Sequence, residues 1–442
     1  MKCEAVKEVE DMSTDRMAVC IPTYNRSDVI GEFLNTVIGR YFQHGFDVFV
    51  YDSGTDSETE SVVREAMKRY EKLYYVRIDS SVHSNRKVYD IFREFGKKQE
   101  YDYLWVCSDS IRWSNLVLDK VTKCMAAGYD LIIPNYRDVE QIGDKEYTDK
   151  QELFLDCAWH MTLYGATILK VSTMLTDVDW DMLSEKYLVP ECINHSHVAF
   201  YFEKLNRMQG WRAMHLSLEK TNLVASGLKK FSGWQKETFY VWCHCWPAMI
   251  KKLPDEYAAH KAAVIKKSGV NSDILSDANM LQLREQGILD KEIYETYKND
   301  WHGLTDVPQR RIWFLTKVPS RMIPYLDGGR RKHRIWENRL KRKIRRFCRR
   351  YDRVYLYGAG RKAQRYTGYL TSLGIEFAGY LVTDAAGMSP EMNGYPVQEW
   401  RKEIGEDKRI GILLALNPQN SEEALGSVLA QVDNKRIFQE KL

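Results

Sequence analysis

Residues 18–30, AVCIPTYNRSDVI, constrain the fold of this chain more than any other stretch. The first four are an unbroken apolar run, with the length and character of a strand buried on both faces. Pro22 ends the run, because proline has no N–H for the ladder and fixes its own φ. Thr23-Tyr24-Asn25-Arg26 then makes a polar turn. Asp28 is placed as the N-cap of a helix carrying Val29, Ile30, Phe33, Leu34 and Val37 at helical spacing. Strand, turn and helix make the first half of a βαβ unit, and open α/β sheets bind ligands beyond the carboxyl ends of their strands. The turn is therefore expected to floor a nucleotide pocket.

The same grammar repeats downstream. Asp47-Val48-Phe49-Val50-Tyr51 reads as a second strand, ending in Asp52-Ser53-Gly54-Thr55-Asp56-Ser57, whose residues favour turns and caps. A third strand at residues 73–78 leads to Ser84-Asn85-Arg86-Lys87 and a helix. A fourth at residues 103–107 delivers Ser108-Asp109-Ser110. Strands alternating with helices predict a mostly parallel sheet with every polar turn at one edge.

This ordered set, CIPTYNR, YDSGTDSET, SNRK and an Asp-bearing triplet, resembles a family-2 glycosyltransferase of the GT-A fold over roughly the first half of the chain. The resemblance implies a substrate-contacting set of Pro22, Thr23, Tyr24, Arg26, Asp52, Asn85, Lys87, Ser108, Asp109 and Ser110. Pro22 and Tyr24 would lie beside the base, Asp52 would bond its edge, and Lys87 would approach the diphosphate. The triplet would hold the ribose and a divalent cation, Mg²⁺ or Mn²⁺, through Asp109. The family places aspartate at the triplet's outer positions; here both are serine. A late histidine completes the metal shell in some members, which puts His244 and His215 forward. The donor would be a nucleotide sugar, UDP-type, and the acceptor a glycan, lipid-linked or polymer hydroxyl in surface polysaccharide or glycoconjugate assembly.

Single-displacement transfer with inversion, also implied by the resemblance, needs a base within hydrogen-bond reach of the acceptor hydroxyl. Where the family carries an acidic pair, this chain has Ser196-His197, and histidine titrates near neutrality. His197 is the first candidate, with Glu191 and His195 as rivals. A structural role for the histidines, capping or packing a helix start, is the competing reading. Beyond a strand at residues 211–216, the polar stretch from Asn222 to Gly233 has the composition of a lid over the diphosphate. Trp234, Trp242, His244 and Trp246 follow in an aromatic segment ended by Pro247. A zinc site at Cys243-His244-Cys245 is disfavoured, because adjacent ligands close a tetrahedron poorly.

Three domains are expected: a GT-A domain at 15–250, a helical connector at 251–350, and a small Rossmann-like α/β domain at 351–442. In the connector, Ser276 and Asp290 read as helix N-caps. Residues 330–350 form an amphipathic helix, with Trp336, Leu340, Ile344 and Phe347 on one face and Lys or Arg on the other. Such a helix suits peripheral contact with an anionic membrane. Nothing in the chain supplies base readout, so nucleic acid is not an expected partner. In the last domain, Gly358 and Gly360 of a GxGxxA turn are the candidate ligand-binding positions.

No run of ~18 apolar residues occurs, the N-terminal segment is charged, and the nine cysteines form no CxxC pair. These features predict a cytoplasmic chain, with any membrane contact at the inner face. Two other functions stay open: a nucleotidyltransferase making the sugar nucleotide, and a non-catalytic nucleotide-binding scaffold.

Overall fold

The computed structural model describes residues 15–219, 222–226, 233–326, 328–385, 390–403, 409–416, 421, 424–426, 429–430 and 432–439. The chain divides into two compact units, Met1–Ile323 and Pro324–Leu442.

The first unit is built on an eight-stranded sheet of order β3-β2-β1-β4-β8-β6-β9-β7. Its strands are β1 (Met17–Thr23), β2 (Asp47–Asp52), β3 (Leu73–Arg77), β4 (Tyr103–Val106), β6 (Leu131–Asn135), β7 (Lys145–Tyr147), β8 (Ile168–Lys170) and β9 (Ala213–Ser217). A separate ribbon pairs β5 (Ile111–Trp113) with β10 (Leu223–Ala225). Strands β3, β2, β1 and β4 are parallel, as the alternation of elements predicts. The run in β1 splits by its two-residue period: Ala18 and Cys20 enter one core, Met17, Val19 and Ile21 the other. One face is covered by the helices Ser27–Thr36, Glu58–Met67 and Asn115–Ala126, the other by Ser84–Lys98 and Ser196–Arg207.

Strand β8 is antiparallel to both its neighbours, β4 and β6, which points β6 the same way as β1. The ends of β6 and β9 therefore join those of β1, β2 and β4 at one edge. The first helix begins two residues earlier than expected. Arg26 occupies the N-cap without a side-chain cap bond, and Asp28 instead accepts the Val29 N–H at 2.9 Å.

The aromatic segment is a π-helix, Tyr240–Cys245, running directly into the helix Trp246–Lys252. Pro247 sits in the first turn of that second helix, where its missing N–H costs nothing, so it starts an element rather than ending one. Trp242 and Trp246 are buried in the core; the side chain of Trp234 lies outside the described residues. The helices that follow belong to the first unit. Ser276 and Asp290 cap two of them, accepting from the Asn279 and Ile293 N–H groups. Their apolar faces form one cluster with Phe239 and Cys243.

In the second unit, β11 (Arg353–Tyr357), β12 (Gly379–Val382), β14 (Tyr395–Glu399), β15 (Ile410–Leu414) and β16 (Ile437–Phe438) run parallel in the order β14-β12-β11-β15-β16. The short β13 (Glu391–Met392) is antiparallel at the edge. Chain order reverses beside β11, as in a Rossmann-like sheet. Gly358 follows β11 at φ +109, and a Cβ there would lie 2.7 Å from Leu416 Cδ2, so both backbone and space require glycine. Gly360 is the N-cap of the helix Arg361–Ser372.

The basic helix is Gly328–Cys348. Leu340, Ile344, Phe347 and Cys348 are buried in the core of this unit, so that apolar face is spent on folding; the side chain of Trp336 lies outside the described residues.

Candidate active site

The polar turns at the sheet edge form one hydrogen-bonded network. Thr23 Oγ1, at the end of β1, donates to Asp109 Oδ2 at 3.1 Å. Arg26 Nη1 donates to both oxygens of the same carboxylate, at 2.9 and 3.2 Å. Lys87 Nζ, from the first turn of the helix Ser84–Lys98, donates to Ser53 Oγ at 2.7 Å and to the Thr23 carbonyl at 3.3 Å. Burial pulls the Lys87 ammonium below its ordinary pKa, and the charges of Asp52 and Asp109 oppose that pull.

Two turns are locked to each other. Asn25 takes φ +49, a conformation asparagine tolerates, and its Oδ1 accepts the Thr55 N–H at 2.7 Å while its Nδ2 donates to Thr55 Oγ1 at 3.0 Å. Gly54 lies between, where a Cβ would meet Asn25 Oδ1 at 2.8 Å and Asp52 Oδ1 at 3.0 Å. Asp52 is fully buried. It accepts the Gly54 N–H at 2.7 Å on Oδ1, and Tyr75 Oη and Arg77 Nη1, both at 2.9 Å, on Oδ2. Pro22 is half-buried in β1, whereas the Tyr24 ring stands 49% exposed at the mouth, free to lie against a planar ligand.

Ser108 and Ser110 face each other, their hydroxyls 3.0 Å apart. Beneath them lies Arg112, which sequence reading missed. Its buried guanidinium donates to the Asp109 carbonyl at 2.6 Å, the Val29 carbonyl at 3.0 Å and Glu32 Oε2 at 3.2 Å. The nearest signal is its position three residues beyond Asp109. Glu32 also accepts from Ser226 Oγ, and the Ser226 N–H donates to the Ser110 carbonyl at 2.9 Å. The chain thus returns to the triplet just before residues 227–232 of the expected lid, which lie outside the described residues.

The three candidate bases occupy different surroundings. His195 is buried against Trp242 and Trp246, its Nε2 3.2 Å from the Val241 carbonyl, and burial holds its pKa down to about 3. It is a core histidine, poorly placed to reach a hydroxyl from outside. His197 is also buried and held to about 4, chiefly by desolvation. Its Nδ1 lies 3.1 Å from Asn85 Oδ1, which also accepts from Tyr164 Oη at 2.7 Å. The backbone carbonyls of Thr162 and Met161 also act on the ring, opposing the pull of burial. Glu191 lies at the surface, paired with Lys252 at 2.9 Å, and its side chain is 41% exposed. That ion pair holds its carboxyl below the usual pKa.

The expected divalent cation fits these residues poorly. Such an ion wants several oxygen ligands, carboxylates first among them. Asp109 is the one carboxylate of the triplet, and Arg26 and Thr23 already bond both its oxygens. Among the described residues no group of three or more His, Cys, Asp or Glu is placed to hold a metal. His244 stacks on Tyr240, ring centroids 5.2 Å apart. His215 is buried, with Nδ1 2.7 Å from the Gly143 carbonyl and Nε2 3.0 Å from Asn135 Nδ2.

Residues 18–164 match the model of glycosyl transferase family 2. Chondroitin synthase of Escherichia coli is 22% identical over 236 residues, 51% of this chain and 29% of that protein, so the chain spans well under half of this relative. Among solved structures, S. aureus TarS is 18% identical with a TM-score of 0.39, covering 72% of this chain and 53% of TarS. The mannosyltransferase PcManGT from Pyrobaculum calidifontis, in complex with GDP-Man and Mn²⁺, is 16% identical with a TM-score of 0.40, covering 72% and 82%. Glucosyl-3-phosphoglycerate synthase from Mycobacterium tuberculosis, in complex with Mg²⁺ and UDP, is 11% identical with a TM-score of 0.36, covering 55% and 81%. The ordered motifs and the sheet that gathers them fall largely within residues 18–164, the stretch that matches the model of glycosyl transferase family 2.

Proposed function

We propose that this chain transfers a sugar from a nucleotide-sugar donor to a hydroxyl of a glycan, lipid-linked or polymer acceptor, by single displacement with inversion. The observation that carries the reading is the connected network of Thr23, Arg26, Ser53, Lys87 and Asp109, with the exposed Tyr24 beside it. It offers a stacking ring for a base, an aspartate with one acceptor position still open to a ribose hydroxyl, and preorganised positive charge for a leaving diphosphate.

In the step itself, the acceptor oxygen bonds to the anomeric carbon as the carbon–oxygen bond to the diphosphate breaks. The electron pair leaves on the nucleoside diphosphate, and the acceptor proton passes to a base. Exposure favours Glu191 for that base, because the base must touch the hydroxyl. His197 is then a positioning residue, holding Asn85 at the start of the helix that carries Lys87. Replacement of Glu191 by glutamine is expected to lower kcat by about 10²–10⁴ with donor affinity retained. Undiminished turnover would remove it.

The reading as a whole is tested by titrating UDP- and GDP-sugars while following thermal stability and release of nucleoside diphosphate. A ligand at ~100 Kd adds about 2.7 kcal/mol. Stabilisation with slow hydrolysis supports a transferase, stabilisation without it a binding scaffold, and neither with any donor refutes the proposal.

The second unit is read as a binding or interaction module, with Gly358 and Gly360 at its phosphate-approachable turn. Arg339, Arg342, Lys343 and Arg346 are exposed at helical spacing opposite the buried residues of their helix. With the apolar face consumed, any contact with an anionic membrane rests on charge alone, without insertion.

A further inference from the structure

Resting on the donor reading above, we infer that Arg26 takes the place of a divalent cation, so that this chain binds its nucleoside diphosphate without metal. Four observations converge. The triplet carries serine on both sides of Asp109, and the two hydroxyls bond each other. The remaining carboxylate, Asp109, is buried and spans a single guanidinium nitrogen with both oxygens. A cation entering there would have to break that ion pair and strip its own hydration for one carboxylate, which a small hard ion resists.

Lys87, the other basic residue of the network, is 3% exposed and already bonded to Ser53 and Thr23, so it braces the turns from beneath. Arg26 differs: its side chain is 27% exposed, and Nη1 makes both bonds to Asp109. Among the described residues Nε and Nη2 have no hydrogen-bond partner, which leaves three N–H donors for a phosphate. A guanidinium held at one end by a carboxylate is pre-oriented for the forked contact that arginine makes with phosphate oxygens. Asp109 thus positions the counter-charge instead of ligating one.

The test is calorimetric titration of UDP and GDP into the full chain in EDTA, in Mg²⁺ and in Mn²⁺, with turnover not required. Affinity for the nucleotide that binds is expected to agree within two-fold across the three conditions. Arg26→Gln is expected to weaken binding at least ten-fold in EDTA, and Arg26→Lys, which keeps the charge and loses the fork, by an intermediate factor. A ten-fold or greater loss on chelation in the parent chain overturns the inference while leaving the donor reading intact. Absence of binding by either nucleotide in every condition overturns both. The parent measurement decides the metal question even where a variant fails to fold.

Discussion

Gly54 is the residue on which the geometry of the pocket floor can be tested most directly. A Cβ at this position would lie 2.8 Å from Asn25 Oδ1 and 3.0 Å from Asp52 Oδ1. Both oxygens are already engaged, the first with the Thr55 N–H and the second with that of Gly54 itself, each at 2.7 Å. Alanine must push at least one of them off its donor, and both are side chains of the turns that carry Tyr24, Arg26 and Ser53. Overpacking a tight site costs about 1–3 kcal/mol, and each hydrogen bond weakened adds about 0.5–1.5 kcal/mol. A loss of roughly 1.5–4.5 kcal/mol moves Tm down by about 2–4 °C per kcal/mol for a domain of some 200 residues. Part of the strain reappears on binding, because the ligand needs the native turns; about 1 kcal/mol there is roughly a five-fold rise in Kd. Thermal unfolding and UDP titration of Gly54→Ala measure both effects. Gly39→Ala is the control, since a Cβ there meets nothing within 4 Å, and it is expected to be neutral or slightly stabilising. A Gly54→Ala chain matching the parent in Tm and in Kd would refute the packing argument.

Burial holds the pKa of His160 and His197 to about 4 and that of His195 to about 3. The unfolded chain takes up these protons near ~6.5 and the folded chain does not, so the stability is fully present above that pH. It is lost as pH falls towards 4, by up to ~1.4 kcal/mol per pH unit for each histidine; a thermal stability unchanged between pH 7.5 and 5 would contradict the burial. Gly358→Ala combines a left-handed φ with a 2.7 Å approach to Leu416, and is expected to lower the melting of the second unit while UDP affinity stays constant. Arg342→Glu with Arg346→Glu is expected to abolish sedimentation with phosphatidylserine vesicles at low salt, and the parent's binding should vanish by ~0.5 M salt, where screening is nearly complete. Salt-resistant binding would instead mean apolar insertion, which the packing of Leu340, Ile344 and Phe347 opposes.

Local signals determined much of this protein from sequence alone. The apolar run and Pro22 mark β1 and its end, because strand burial and the missing proline N–H act within a few residues. Ser276 and Asp290 cap their helices for the same reason: the orphan N–H groups lie two or three residues away. Parallel alternation was enough to put Thr23, Ser53, Lys87 and Asp109 at one edge. Where a partner is distant in sequence, only the tertiary structure decided. Nothing near Asp109 announces that Arg26, 83 residues away, bonds its carboxylate. Nothing near His195 announces the tryptophans that close over it, and nothing in the basic helix shows its apolar face claimed by β11 and its neighbours. Charge and periodicity offer each side chain a set of partners; the packing of the sheet selects among them, and here it pairs Asp109 with Arg26.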